Sequence, residues 1–131
     1  MVGIKDLNKF LNSMQPALVD EAFVFCSVAG RLEQYLYLEP IVTFKEPEGL
    51  TLVLTKDKAD EASLNYEGIF RQITLTVHSS LQAVGLTAVS TRLASKGISA
   101  NVIAAYYHDH VFVSLEQAEQ ALVALKELSH E

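Results

Sequence analysis

Residues 71–78, Arg71-Gln72-Ile73-Thr74-Leu75-Thr76-Val77-His78, alternate polar and apolar side chains, and Ser79-Ser80 follows at once. A period of two puts Ile73, Leu75 and Val77 on one face, the pattern of a half-buried strand. A hydroxyl pair after a strand is an N-cap signal. The spacing then predicts a helix from Leu81 to Lys96, stopped by Gly97, with Lys96 well placed against the helix dipole. Beyond it, Ser99 to Tyr107 reads as a strand, His108-Asp109-His110 as a tight corner and Val111-Phe112-Val113 as the return strand. Ser114 with Gln117 three residues on has the form of a capping box. The last helix is expected over Leu115 to Leu128, with Leu115, Ala118, Leu122 and Leu125 facing the core. Residues 70–128 therefore spell β-α-β-β-α.

Upstream, Ile4, Leu7, Leu11 and Met14 recur at helical spacing until Pro16 ends the run. Ala22 to Val28 is aromatic and β-branched, a buried strand, and Ala29-Gly30-Arg31 turns into Gln34-Tyr35-Leu36-Tyr37-Leu38. Ile41-Val42-Thr43-Phe44 and Leu50-Thr51-Leu52-Val53-Leu54 flank Glu46-Pro47-Glu48-Gly49, whose Pro and Gly positions predict a hairpin turn. Thr55 caps a helix from Lys56 to about Leu64. The first half thus reads α-β-β-β-α, with no strand ahead of its first helix. A shift of 59 places Val53-Leu54-Thr55 on Phe112-Val113-Ser114 and Ala59 and Ala62 on Ala118 and Ala121. The echo, joined to the matching order of elements, predicts a duplicated module, residues 1–68 and 69–131. Modules this small bury little surface alone.

The 131 residues carry 10 Lys+Arg against 16 Asp+Glu, a net charge of −6. That balance repels nucleic acid and anionic bilayers, so neither is expected as a partner. Residues 1–68 hold six basic and eleven acidic side chains and residues 69–131 four and five, so the deficit lies in the first half. Mean hydropathy is +0.21, yet the longest apolar run, Ala22 to Gly30, falls well short of the roughly 20 residues of a span. Met1 to Met14 has charges through its middle and does not read as a signal peptide. The single cysteine, Cys26, excludes an intramolecular disulfide. The expected address is the cytosol.

Few residues suit catalysis. Cys26 sits in an apolar strand with no basic neighbour, the setting of a core residue. No serine lies in a nucleophile elbow, and no phosphate-binding glycine pattern is present. His108 and His110, at i and i+2 of a strand, share a face and form a candidate metal pair, but no third ligand is apparent. The other reading of His108-Asp109-His110 is a plain corner. Gly85 sits early in a helix, where glycine is unfavourable by about 0.5–1 kcal/mol, so it marks a close approach by a neighbouring strand or a small molecule. A helix N-terminus seats a carboxylate, and Asp109, the only acid between Phe70 and Ser114, answers an ammonium. Together they suit a free amino acid.

On Ile73-Thr74-Leu75-Thr76-Val77, Gly85 to Ser90, Leu93 to Ile103 and Tyr107 to Val113, the chain resembles the ACT domain, and more narrowly the small stand-alone bacterial proteins with two such modules, related to the tandem modules of aspartate kinases. The resemblance implies an α+β fold of ferredoxin-like βαββαβ modules in tandem, each an antiparallel sheet with helices on one face. The first module lacks a leading strand and the second a final one, which implies exchanged strands or a shared sheet completed by residues 71–78. It further implies a non-catalytic regulatory protein that binds a small amino acid at a module or subunit interface, without metal or cofactor and as a homodimer. The ligand positions carried over are Ser79, Ser80, Leu81, Ala83, Val84, Gly85 and Leu86, then Asn101, Val102 and Ile103, with Asp109 aimed at the amino group. A ligand-free oligomerisation module is the alternative, and a small metal-dependent enzyme using His108 and His110 a more distant one.

Overall fold

The computed structural model describes Lys9, residues 11–76 and residues 82–130, the side chains of 82–84 excepted. The chain divides into two compact units: Glu21–Phe70, and Met1–Asp20 together with Arg71–Glu131. Strand β1 (Ala17–Val28) begins in the second of these and ends in the first.

In the 21–70 unit, β1 leads into a 3-10 helix (Leu32–Leu38), then β2 (Val42–Glu46), β3 (Gly49–Thr55) and helix α1 (Lys56–Glu61). The strand order is β2-β3-β1, with both pairs antiparallel. Register sets the core. Val24 lies opposite Leu54, Cys26 opposite Leu52 and Val28 opposite Leu50, so side-chain alternation stacks them on one face. Leu38 of the 3-10 helix and Ala59 of α1 cover that face. Each buried leucine there contributes about 1.5–3 kcal/mol, which outweighs the exposed Lys56–Asp60 ion pair. The chain after Gly30 winds into the 3-10 helix rather than a simple turn, because the Arg31 N–H donates to Gln34 Oε1 at 2.7 Å and the Tyr35 hydroxyl donates to the Ala29 carbonyl. Thr55 caps α1 by accepting from the Lys58 N–H at 3.4 Å. The helix stops at Glu61, short of Leu64, whose N–H turns back to the Ala59 carbonyl at 2.9 Å.

The other unit holds the start of β1, β4 (Phe70–Thr76), helix α2 (Gln82–Ser95), β5 (Ala100–Ala104), β6 (His108–Ser114), a 3-10 turn (Leu115–Gln117) and helix α3 (Ala118–Ser129). Its strand order is β1-β4-β6-β5, in an antiparallel sheet. The edge beside β4, which the final strand takes in a βαββαβ module, is filled by Ala17–Asp20. Arg71 ties it there, donating from Nε and Nη2 to the Val19 carbonyl at 3.1 and 2.8 Å. Thr76 N–H donates to the Met14 carbonyl at 2.6 Å, and Leu11 and Met14 are buried in the core. Ile4 and Leu7 lie outside the described residues. Ile73 and Leu75 of β4 and Val111 and Val113 of β6 face the helices, packing on Val89, Leu93, Ala121 and Leu125.

Three sequence expectations change here. His108, Asp109 and His110 are strand residues, and the corner between β5 and β6 is Ala105-Tyr106-Tyr107, because Asp109 continues the inward alternation of Val111 and Val113. Leu115 is 43 % exposed rather than core, since the last helix opens with a 3-10 turn that rotates it outward. The Ser114 hydroxyl donates to Gln117 Oε1 at 3.2 Å instead of closing a capping box on the backbone. Among the described residues, no helix is long and apolar enough to cross a membrane.

Candidate functional site

In the 21–70 unit a cleft of about 430 Å³ opens where β1 ends and the 3-10 helix begins. Its floor is Val28 and Leu50, and its rim carries Arg31, the exposed Leu32, Glu33, Thr43, Lys45 and Glu46. Strand register builds it. Lys45 pairs with Leu50 and Thr43 with Leu52, so both β2 side chains lie on the helix-covered face, beyond the apolar strip of β3 and β1. Two glycines line it where the chain turns. Gly30 has φ +103°, and a Cβ there would stand 2.1 Å from Gln34 Oε1; a Cβ on Gly49 would meet Ser27 Oγ at 2.8 Å. The rim is electrically mixed. Arg31 Nε lies 3.2 Å from Glu33 Oε2, and Glu46 Oε1 accepts from the Thr51 hydroxyl at 2.5 Å. A cleft of this volume, with a short apolar strip and a charged rim, is within the size range of small-molecule sites.

The corresponding end of the other unit is built around Asp109. His110 Nδ1 lies 2.9 Å from Gln72 Nε2 and 3.1 Å from Thr74 Oγ1. In an antiparallel sheet that contact sets the start of β6 beside the end of β4, from which the chain runs to α2. Asp109 is fully buried there, opposite Ala104. Burial, and then the neighbouring His108, push the His110 pKa down, with Asp109 opposing.

Of the residues expected to bind ligand, Ser79, Ser80 and Leu81 lie outside the described residues, as do the side chains of Ala83 and Val84. Gly85 is buried and Leu86 half-buried in α2. Ile103 stands opposite His110, on the sheet face away from Asp109; Val102 faces Val111 and packs on the core, while Asn101, opposite Phe112, is exposed and further along β5. The cleft of the 21–70 unit is absent from that set. Its signal was present in Gly30 after an apolar strand, with Gln34 three residues past Arg31, a spacing that lets a side-chain amide reach back to a backbone N–H.

Among the described residues, no group of three or more His, Cys, Asp and Glu could hold a metal ion. Cys26 is buried and its thiol pKa is raised by that burial, which keeps it protonated and unreactive.

Two ACT-domain family models match the chain, one over residues 2–71 and the other over residues 68–127. No curated protein matches it. Among solved structures, a Vibrio cholerae protein of unknown function, described as a possible transport protein, is 59% identical, with 98% of this chain and 99% of that one covered and a TM-score of 0.89. The ligand-free regulatory subunit of aspartate kinase from Thermus thermophilus is 15% identical over 88% of this chain and 97% of its own, with a TM-score of 0.65. Escherichia coli aspartokinase III, in complex with aspartate and ADP, is 14% identical over 91% of this chain and 34% of its own, with a TM-score of 0.63. At those two identities the likeness is one of fold.

Proposed function

Because the chain belongs to the ACT-domain family, we propose that it is a cytosolic, non-catalytic regulatory protein that binds a free amino acid. The observation that carries this reading is the cleft of the 21–70 unit, where both signs of charge stand on the rim of an apolar floor. A zwitterion needs one cation for its carboxylate and one anion for its ammonium, and this rim offers both within a small-ligand volume. The regulatory subunit of aspartate kinase has the same fold, which fits a sensor role.

The division into modules at residues 1–68 and 69–131 belongs to the same proposal, as does a second seat formed by residues 79–86, Asn101 to Ile103 and Asp109. Burial of Asp109 at the start of β6 supports that seat, because a carboxylate removed from water is a strong partner for an ammonium. The protein works as a homodimer. β2 ends the strand order of its unit, and Phe44 on it and Ile41 just before it, with Leu36 and Tyr37 nearby in sequence, are large apolar side chains left exposed. An open strand edge with such residues is a surface for a second copy. Binding then acts by favouring one packing of the subunits over another.

A thermal-shift screen of the twenty amino acids at millimolar concentration tests the reading, since a ligand of the folded state raises its stability by mass action. A specific rise with one or a few is expected, and no rise with any of them refutes it. Light scattering coupled to size exclusion is expected to give twice the chain mass.

A further inference from the structure

We propose that the cleft in the 21–70 unit takes an aliphatic amino acid, side chain inward and zwitterion at the rim; this rests on the amino-acid-binding reading above and names its ligand class. The floor decides the class. Val28 pairs with Leu50 on one side and Lys45 with Leu50 on the other, so an apolar strip crosses the strands and ends in a cation. The exposed Leu32 of the 3-10 helix adds an apolar edge to it. All charged lining groups are exposed rim residues. Arg31 and Glu33 pair with each other and Glu46 receives the Thr51 hydroxyl. Among the described residues Lys45 makes no ion pair, and its ammonium is the group open to a ligand carboxylate. The ligand ammonium then falls to the acidic side of the rim.

The other unit supplies a contrast. The shift of 59 that aligns the two halves places Leu50 on Asp109, and both sit at the start of their strand on the helix-covered face, 9 % and 0 % exposed. Where one unit buries a carboxylate, the cleft has a leucine. A charged or strongly polar ligand side chain seated on Leu50 would lose water with no partner to replace it. A very short one would leave the floor wet. Affinity is therefore graded by apolar size.

Isothermal titration of the full chain with leucine, valine, alanine, aspartate and lysine tests this. Leucine and valine are expected to bind, with alanine at least about tenfold weaker, because each methylene lost from an apolar pocket changes affinity by about 10–200-fold. Lys45→Gln, on the exposed rim, is expected to weaken leucine about tenfold with thermal unfolding unchanged, and Leu50→Ala to weaken leucine more than alanine. Tighter binding of aspartate or lysine than of leucine, still weakened by Lys45→Gln, overturns the ligand class and leaves the amino-acid reading standing. No heat with any amino acid overturns both. Leucine affinity indifferent to Lys45→Gln and to Leu50→Ala overturns the placement in this cleft.

Discussion

Gly30→Ala puts the geometry of the cleft mouth to the test. Gly30 holds φ +103°, in the region where a Cβ meets the neighbouring carbonyl, and an L-residue there is disfavoured by about 1–2 kcal/mol. The new methyl would stand 2.1 Å from Gln34 Oε1, so the amide has to swing away. That releases the Arg31 N–H, now held at 2.7 Å, to solvent, a loss of about 0.5–1 kcal/mol. The sum is about 1.5–3 kcal/mol. Gln34→Ala alone loses only the hydrogen bond, about 0.5–1 kcal/mol. The double variant is expected to match Gly30→Ala and not the sum, because the bond is already gone in the single variant, and contacting residues couple in this way. Urea titration followed by far-UV circular dichroism, with amide exchange across Leu32–Leu38, reads all three. A Gly30→Ala loss below about 1 kcal/mol, or full additivity in the double variant, would show that the backbone angle and the Gln34 contact do not hold the mouth.

Other expectations follow from the same structure. Leu54→Asp is expected to lower stability by about 3 kcal/mol or more, since it places a carboxylate opposite Val24 in the apolar core of its unit, and equilibrium unfolding in urea checks it. The depressed pKa of His110 means that the unfolded chain binds a proton more readily there. The stability it contributes is full above the ordinary histidine pKa of about 6.5 and declines as pH falls through the folded value. Urea midpoints from pH 8 to 5 are expected to fall more steeply for the parent than for His110→Gln, and equal slopes would contradict this. Thr55→Ala removes the cap on Lys58 N–H and is expected to lower stability by about 0.5–1 kcal/mol, while Ser114→Ala, which loses only a side-chain contact with Gln117, is expected to change it less.

Most of the element order was legible because its signals are local. Alternation along 71–76 marks β4, Gly97 stops α2, Pro47 and Gly49 turn the hairpin, and Thr55 caps α1, each acting on neighbours within a few residues. The misplaced corner at His108-Asp109-His110 has the opposite cause. Turn propensity favours those residues, and only pairing of Ala104 with Asp109 draws them into the strand. A buried acid is the kind of exception that periodicity, which scores polarity, cannot anticipate.

Pattern along the chain determined the order of strands and helices and which faces of β4 and α3 turn inward, and the resemblance to the ACT domain supplied the class of fold. Tertiary structure alone decided that the chain before residue 21 takes the open edge beside β4, held by the Val19 carbonyl, and that Leu50, Lys45 and Gly30 converge on one cleft. Backbone ladder bonds are nearly indifferent to side-chain identity, so strand neighbours far apart in sequence leave little local trace. A cleft is the space left between elements once they have packed, and no single stretch of chain encodes it.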